Sequence, residues 1–176
     1  MYADDLKIYR IISLLVDCAA LQQDIDAVAA WCASNGMELN AIKCKLISFS
    51  KSQTLLTFDY RANGIVLERV NSIKDLGVIM DSKLSFNDHV TSTTAKAFAV
   101  LGFVRRNASE FRDAYALKSV YCSLVRSILE YAVQIWAPYR ETQIGRIERV
   151  QRCFVRYALR RLTRCSCHRT MTDVNL

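Results

Sequence analysis

Tyr2-Ala3-Asp4-Asp5 opens the chain and leads into Leu6-Lys7-Ile8-Tyr9-Arg10-Ile11-Ile12, an apolar run rich in β-branched residues. Adjacent carboxylates repel, so a pair on a tight strand-to-strand turn ordinarily has a cation to hold. A few hard oxygen ligands on a rigid turn suit Mg²⁺, which keeps waters and shares its remaining positions with phosphates. The same four residues also fit a plain polar turn ahead of a strand. The spacing predicts a strand over 6–12. An acidic hairpin needs a second arm before it, so the sequence reads as a piece of something longer.

Working outward, the 176 residues fit one domain or two small ones. With 52% hydrophobic and 23% charged residues, the chain can build a core and is not of disordered composition. Five glycines and one proline favour long regular elements. No apolar run reaches the ~18 residues that span a bilayer, and no secretion signal is visible near the start. The seven cysteines are scattered and odd in number, and read as reduced thiols. An intracellular protein, nuclear or cytoplasmic, is expected, with no membrane partner.

Helical spacing puts Leu14, Cys18, Leu21, Ile25, Val28 and Cys32 on one face of a helix over 14–34, stopped by Asn35-Gly36. Strands follow at 44–49, 55–60 and 65–70, the last two joined by the hairpin dipeptide Asn63-Gly64. A further strand covers 73–80, centred on Leu76-Gly77-Val78-Ile79. The fold class is α+β, with a helix on one face of a mostly antiparallel sheet. Three helices complete it, over about 90–107, 113–136 and 141–162, enough for a small bundle. The middle helix should turn Leu117, Val120, Tyr121, Leu124, Ile128, Tyr131 and Ile135 inward; the last should turn in Ile147, Val150, Phe154 and Ala158 or Leu159. The polar residues 163–176 should fray.

Charge is uneven. Residues 1–89 hold 9 Lys/Arg against 11 Asp/Glu, whereas residues 90–176 hold 15 against 6. Arg146, Arg149, Arg152, Arg156 and Arg160 recur at spacings of three and four, a cationic stripe several turns long. Arginine's planar fork suits phosphate, and a stripe suits a polyanion better than a small ligand. A solvated face with a few intrahelical pairs is the plainer reading, but Glu141 and Glu148 cannot neutralise five arginines. Cys165-Ser166-Cys167-His168 is spaced too tightly for a structural zinc site. His89 opens a helix with no nucleophile in view, which suggests capping or packing.

Four pieces, in order, resemble the reverse transcriptase of non-LTR (LINE-type) retrotransposons, most like the jockey-like elements. Tyr2-Ala3-Asp4-Asp5 is similar to its catalytic acidic turn, and Gly36-Met37-Glu38-Leu39-Asn40-Ala41-Ile42-Lys43-Cys44 to the segment after the palm helix. Lys74-Asp75-Leu76-Gly77-Val78, with Asp81, Leu84, Phe86 and His89, is similar to the primer-grip strand and the entry to the thumb. Leu129-Glu130-Tyr131-Ala132, Trp136-Ala137-Pro138-Tyr139 and Ile147-Glu148-Arg149-Val150-Gln151-Arg152 resemble the helices that follow.

The resemblance implies a partial palm over 1–85, a helical thumb-like region over 86–162 and a frayed tail over 163–176. It implies an RNA-directed DNA polymerase that extends a DNA primer on an RNA template, with Mg²⁺ as cofactor and dNTP as substrate of the intact enzyme. Asp4 would be the main metal ligand and Asp5 a second one. Lys43 would lie near the incoming triphosphate, Tyr2, Leu76 and Gly77 near the primer end, and the arginine stripe along the template–primer backbone. A further palm aspartate and the fingers lie upstream in such enzymes, so the chain is expected to be inactive alone. A non-catalytic basic nucleic-acid-binding module and a structural helical protein are the alternatives.

Overall fold

The computed structural model describes residues 6–50, 56–108, 111 and 113–172, with 164–172 as backbone only. The chain forms two compact units: Met1–Ile73 with Asp81–Leu84, and Lys74–Met80 with Ser85–Leu176.

In the first unit, α1 spans Leu15–Ser34. The Asp17 carboxylate accepts the backbone N–H groups of Ser13 and Leu14, each at 2.8 Å, satisfying donors that the helix start leaves open. Those bonds hold the Asp17 carboxyl below its ordinary pKa. Cys18, Leu21 and Ile25 are buried with Ala41, Tyr60 and Ala62, so the middle of the apolar stripe faces the core as its spacing predicts, whereas Leu14 precedes the helix and is exposed, and Val28 and Cys32 are only partly buried. Burial, with the Cys18 side chain beside it, pushes the Tyr60 hydroxyl up to about 12. The Gln22 amide donates to the Arg61 carbonyl (2.8 Å) and accepts its N–H (2.9 Å), docking the helix to a strand backbone. Gly36, at φ +66°, follows the helix end as the sequence suggests.

The strands are shorter than predicted, the one expected over 55–60 is not found among its described residues and lies at 61–62 instead, and the one expected over 65–70 is split in two. β1 (Lys45–Leu46) pairs parallel with β4 (Glu68–Arg69). β2 (Arg61–Ala62) and β3 (Ile65–Val66) pair antiparallel, Arg61 opposite Val66. Asn63 (φ +50°) and Gly64 (φ +78°) turn between them, both left-handed, as the hairpin dipeptide predicts. Residues 6–12 are not a strand, a correction to the sequence reading. A strand exists through its partner, and none of the described segments pairs with this one; Tyr9 and Ile11 are exposed. The predicted mostly antiparallel sheet is thus three two-stranded pieces, one of them parallel. The α+β class stands.

The expected strand over 73–80 is a hairpin instead. β5 (Ser72–Asp75) and β6 (Val78–Asp81) pair through Leu76 (φ +43°) and Gly77 (φ +87°). Continuous extended backbone is impossible with both residues left-handed.

The second unit is built on α2 (Asn87–Asn107), a broken middle helix and α6 (Glu141–Thr172). Ala97, Leu101, Val104, Leu117, Tyr121, Val125, Leu129, Val150 and Phe154 form its main core, with Tyr121 and Phe154 stacked at 4.1 Å. Phe98, Ile147 and Ala158 pack on that core. Leu159 is exposed, so Ala158 is the inward residue of that pair.

The middle helix differs from its prediction in an informative way. It runs as α3 (Ala114–Tyr121), a π-helical turn over Cys122–Arg126, α4 (Ser127–Glu130) and, after a break, α5 (Val133–Trp136). The Asp113 carboxylate caps α3 by accepting the Ala116 N–H at 3.1 Å. A π turn inserts one residue into the helical repeat. Up to Tyr121 the predicted inward face holds. Beyond it the fully buried positions are Val125, Leu129 and Trp136, one residue later than the expected Leu124, Ile128 and Ile135, although Ile128 is partly buried and packs on the core as expected. Leu124, Tyr131 and Ile135 are exposed instead. Among the described residues, α6 continues as helix to Thr172, beyond the expected end near 162. Residues 163–172 contain neither glycine nor proline to stop it.

Candidate nucleic-acid interface

The Leu76-Gly77 turn is a strained point of the second unit that also carries a specific long-range contact. Leu76 has no glycine-like freedom, and a left-handed non-glycine residue costs on the order of 1–2 kcal/mol. Such outliers persist only where the surroundings impose them. Here the Tyr131 hydroxyl donates to the Leu76 carbonyl at 2.9 Å. A Cβ on Gly77 would lie 3.2 Å from Tyr131 Cε1, so the ring covers the turn closely. Leu76 is 46% exposed and Tyr131 56%, which leaves the turn open to a partner.

Tyr131 is itself held. The Trp136 indole N–H donates to the Tyr131 carbonyl at 2.7 Å. Ala132 at φ +52° reverses the chain between them, which is what breaks the middle helix. Trp136 is 1% exposed and sits with Val78 and Val90 in a second small core, on which Phe86 and Met80 pack. His89 meets the Trp136 ring edge-on at 4.8 Å, and its Nδ1 accepts the Ile79 N–H at 3.2 Å. The expected packing role of His89 is therefore met, with a backbone bond to β6 in addition.

Burial, then the charge of Lys96, lowers the His89 pKa below its ordinary 6.5. The Ile79 N–H also needs an unprotonated Nδ1. As pH falls, the unfolded chain takes up this proton before the folded one does, so stability present above about 6.5 declines below it. Thermal unfolding followed by circular dichroism should show a lower midpoint at pH 5.5 than at pH 7.5. His89→Gln should be less stable than wild type at pH 7.5 yet lose less across that interval. An equal loss in both proteins would remove His89 from this account.

The arginines occupy one exposed face of α6. Arg146 donates to the Thr91 hydroxyl at 3.0 Å, and Arg152 pairs with Glu148. Arg156 reaches the Arg152 carbonyl at 3.4 Å. The guanidinium groups of Arg149 and Arg160 have no hydrogen bond or ion pair among the described residues. One glutamate partner for five arginines leaves a net cationic strip.

Lys43 belongs to the first unit. Its backbone N–H is received by the Asn40 carbonyl (3.1 Å) and side-chain oxygen (3.2 Å), which fixes the turn that carries it. Its ammonium group is exposed. Tyr2, Asp4 and Asp5 lie outside the described residues. Among the described residues, no group of three or more His, Cys, Asp or Glu could hold a metal ion.

The chain is 27% identical over 168 residues to the "Probable RNA-directed DNA polymerase from transposon BS" of Drosophila melanogaster, covering 93% of this chain. It is 27% identical over 154 residues, 85% of this chain, to the "RNA-directed DNA polymerase from mobile element jockey" of Drosophila funebris. Over most of its length the chain is similar to mobile-element RNA-directed DNA polymerases. It spans 18% of the length of the first polymerase and 17% of the second. No family model and no solved structure matches it. The non-LTR retrotransposon resemblance drawn from four short motifs is thus supported along most of the chain. Among the described residues, no helix is long and apolar enough to cross a membrane.

Sequence reasoning placed Leu76 and Gly77 at the primer end but read Tyr131 as an inward helix residue. Its signal was there: it sits in Leu129-Glu130-Tyr131-Ala132, one of the stretches that carried the resemblance.

Proposed function

We propose that this chain supplies the primer-holding and thumb-like portion of an RNA-directed DNA polymerase. The first unit, with β5 and β6, corresponds to the end of a palm, and the helices of the second unit to a thumb. Leu76 and Gly77 support the primer terminus, and the α6 arginines follow the template–primer backbone. Lys43 faces the incoming dNTP. Tyr2 stands near the primer end, and Asp4 and Asp5 hold Mg²⁺, whose preference for hard oxygen ligands they fit. The observation that carries the reading is the similarity to polymerases over most of the chain, joined to an exposed cationic face on α6.

The test is equilibrium binding of a fluorescein-labelled RNA–DNA primer–template across a salt series. Cations that neutralise phosphates release counterions, so affinity should fall steeply as salt rises. Arg149→Gln with Arg160→Gln removes two cations whose guanidinium groups hold no other described residue in place. The pair should weaken binding and lower the magnitude of the log–log salt slope by about 0.9 for each phosphate no longer neutralised. An unchanged slope would take the stripe out of the interface. A non-catalytic nucleic-acid-binding module is the second reading, favoured by the same face. It predicts equal affinity for blunt duplexes and for those with a recessed 3′ end, whereas a primer holder prefers the recessed end.

A further inference from the structure

We infer that Tyr131 is a positioning residue for the primer-terminus turn, setting the orientation of Leu76-Gly77 from the helical side. This rests on the reading of that turn as the primer support.

The pairing of β5 with β6 calls for left-handed backbone at both turn positions, which leucine adopts only at a cost. Leu76 at φ +43° would relax toward extended backbone if nothing opposed it. Two independent contacts from one side chain oppose it. The Tyr131 hydroxyl takes the Leu76 carbonyl, which orients the peptide between Leu76 and Gly77. The ring edge lies over Gly77 so closely that a methyl group there would meet Cε1 at 3.2 Å. A carbonyl grip at one residue and a steric cover at the next leave the turn little room to rotate.

Tyr131 can do this because its own backbone is fixed. The Trp136 indole holds its carbonyl at 2.7 Å, and Trp136 is buried against Val78 and Val90. Val78 opens β6, directly after the turn. The two arms of this arrangement therefore close on the same hairpin, through the tyrosine on the turn and the tryptophan on the strand that leaves it. The arrangement also accounts for an exposed tyrosine at the break between α4 and α5. Its task is outside the core, and α4 ends at Glu130, just before it.

Tyr131→Phe keeps the ring and deletes the grip. In ¹⁵N-labelled full chain, the Gly77 amide resonance should shift and broaden in Tyr131→Phe, while amides of α1 stay where they are. Affinity for a primer–template with a recessed 3′ end should fall about fivefold, the value of one hydrogen bond, with the salt slope unchanged because no cation is removed. Fluorescence of 2-aminopurine at the primer 3′ terminus should move toward its unbound value, and at an internal position should not. Tyr131→Leu, which also uncovers Gly77, should enlarge the amide change. A Gly77 amide unmoved in both variants overturns the positioning role. A wild-type chain that binds blunt and recessed duplexes equally overturns the primer reading, and the amide result then still decides whether Tyr131 governs the turn.

Discussion

Gly77→Ala is expected to destabilise the second unit by about 2–3 kcal/mol. Two costs combine. The backbone at φ +87° is left-handed, which an alanine adopts at a cost of about 1–2 kcal/mol. The added Cβ also meets Tyr131 Cε1 at 3.2 Å, an overlap of a few tenths of an ångström that costs about 1 kcal/mol more, the low end of the overpacking range. The ring cannot withdraw freely, because its hydroxyl is tied to Leu76 and its carbonyl to Trp136. Gly64 is the internal comparison. It too is left-handed, at φ +78°, but a Cβ added there would meet nothing within 4 Å. Gly64→Ala should therefore cost only the backbone part. Urea unfolding separates the two, because Trp31 lies in the first unit and Trp136 in the second. In a Trp31→Phe background, tryptophan emission follows the second unit; in Trp136→Phe it follows the first. Equal losses for the two glycine substitutions would mean that Tyr131 does not bear on Gly77.

That comparison shows what a sequence makes legible. Asn63-Gly64 was readable as a hairpin because both residues tolerate left-handed backbone without help. Leu76-Gly77 was not, since leucine in that conformation runs against its own preference and is imposed by contacts from far along the chain. The helices were readable from apolar spacing, and α1 buried the expected Cys18, Leu21 and Ile25. The π turn at Cys122–Arg126 was invisible because it adds a residue to the count of a turn without changing composition. Its effect was to exchange Leu124 for Val125 and Ile135 for Trp136 at the core. The strand predicted over 6–12 rested on residue preference alone, which counts for little without a neighbour to pair with.

The candidate site divides in the same way. The arginine face follows from spacing along one helix, which sequence displays directly. The buttress of the turn does not, because Leu76, His89, Tyr131 and Trp136 meet only through the fold. Yet all four fall within the stretches that carried the family resemblance. So do four left-handed non-glycine residues, Leu76, Leu84, Phe86 and Ala132. Motif residues that look unrelated along the chain thus coincide with the points where the backbone is held against its preference.

Trp136→Ala should have the largest effect of any single substitution considered, a loss of about 3–5 kcal/mol. The side chain is 1% exposed, and its removal leaves a cavity beneath Val78, Val90 and His89. It also orphans the Tyr131 carbonyl. Domains of this size hold about 5–15 kcal/mol in total, so circular dichroism at 222 nm should show an unfolding midpoint far below that of wild type. Trp136→Phe separates volume from hydrogen bonding. It keeps most of the ring but loses the indole N–H, at about 1–3 kcal/mol. If Trp136 acts on the turn through Tyr131, the two substitutions Trp136→Phe and Tyr131→Phe should not add. Groups in one connected network couple by about 0.5–3 kcal/mol, whereas independent ones add within about 0.5 kcal/mol. Strict additivity would reduce Trp136 to core filling, with the orientation of Leu76-Gly77 set by Tyr131 alone.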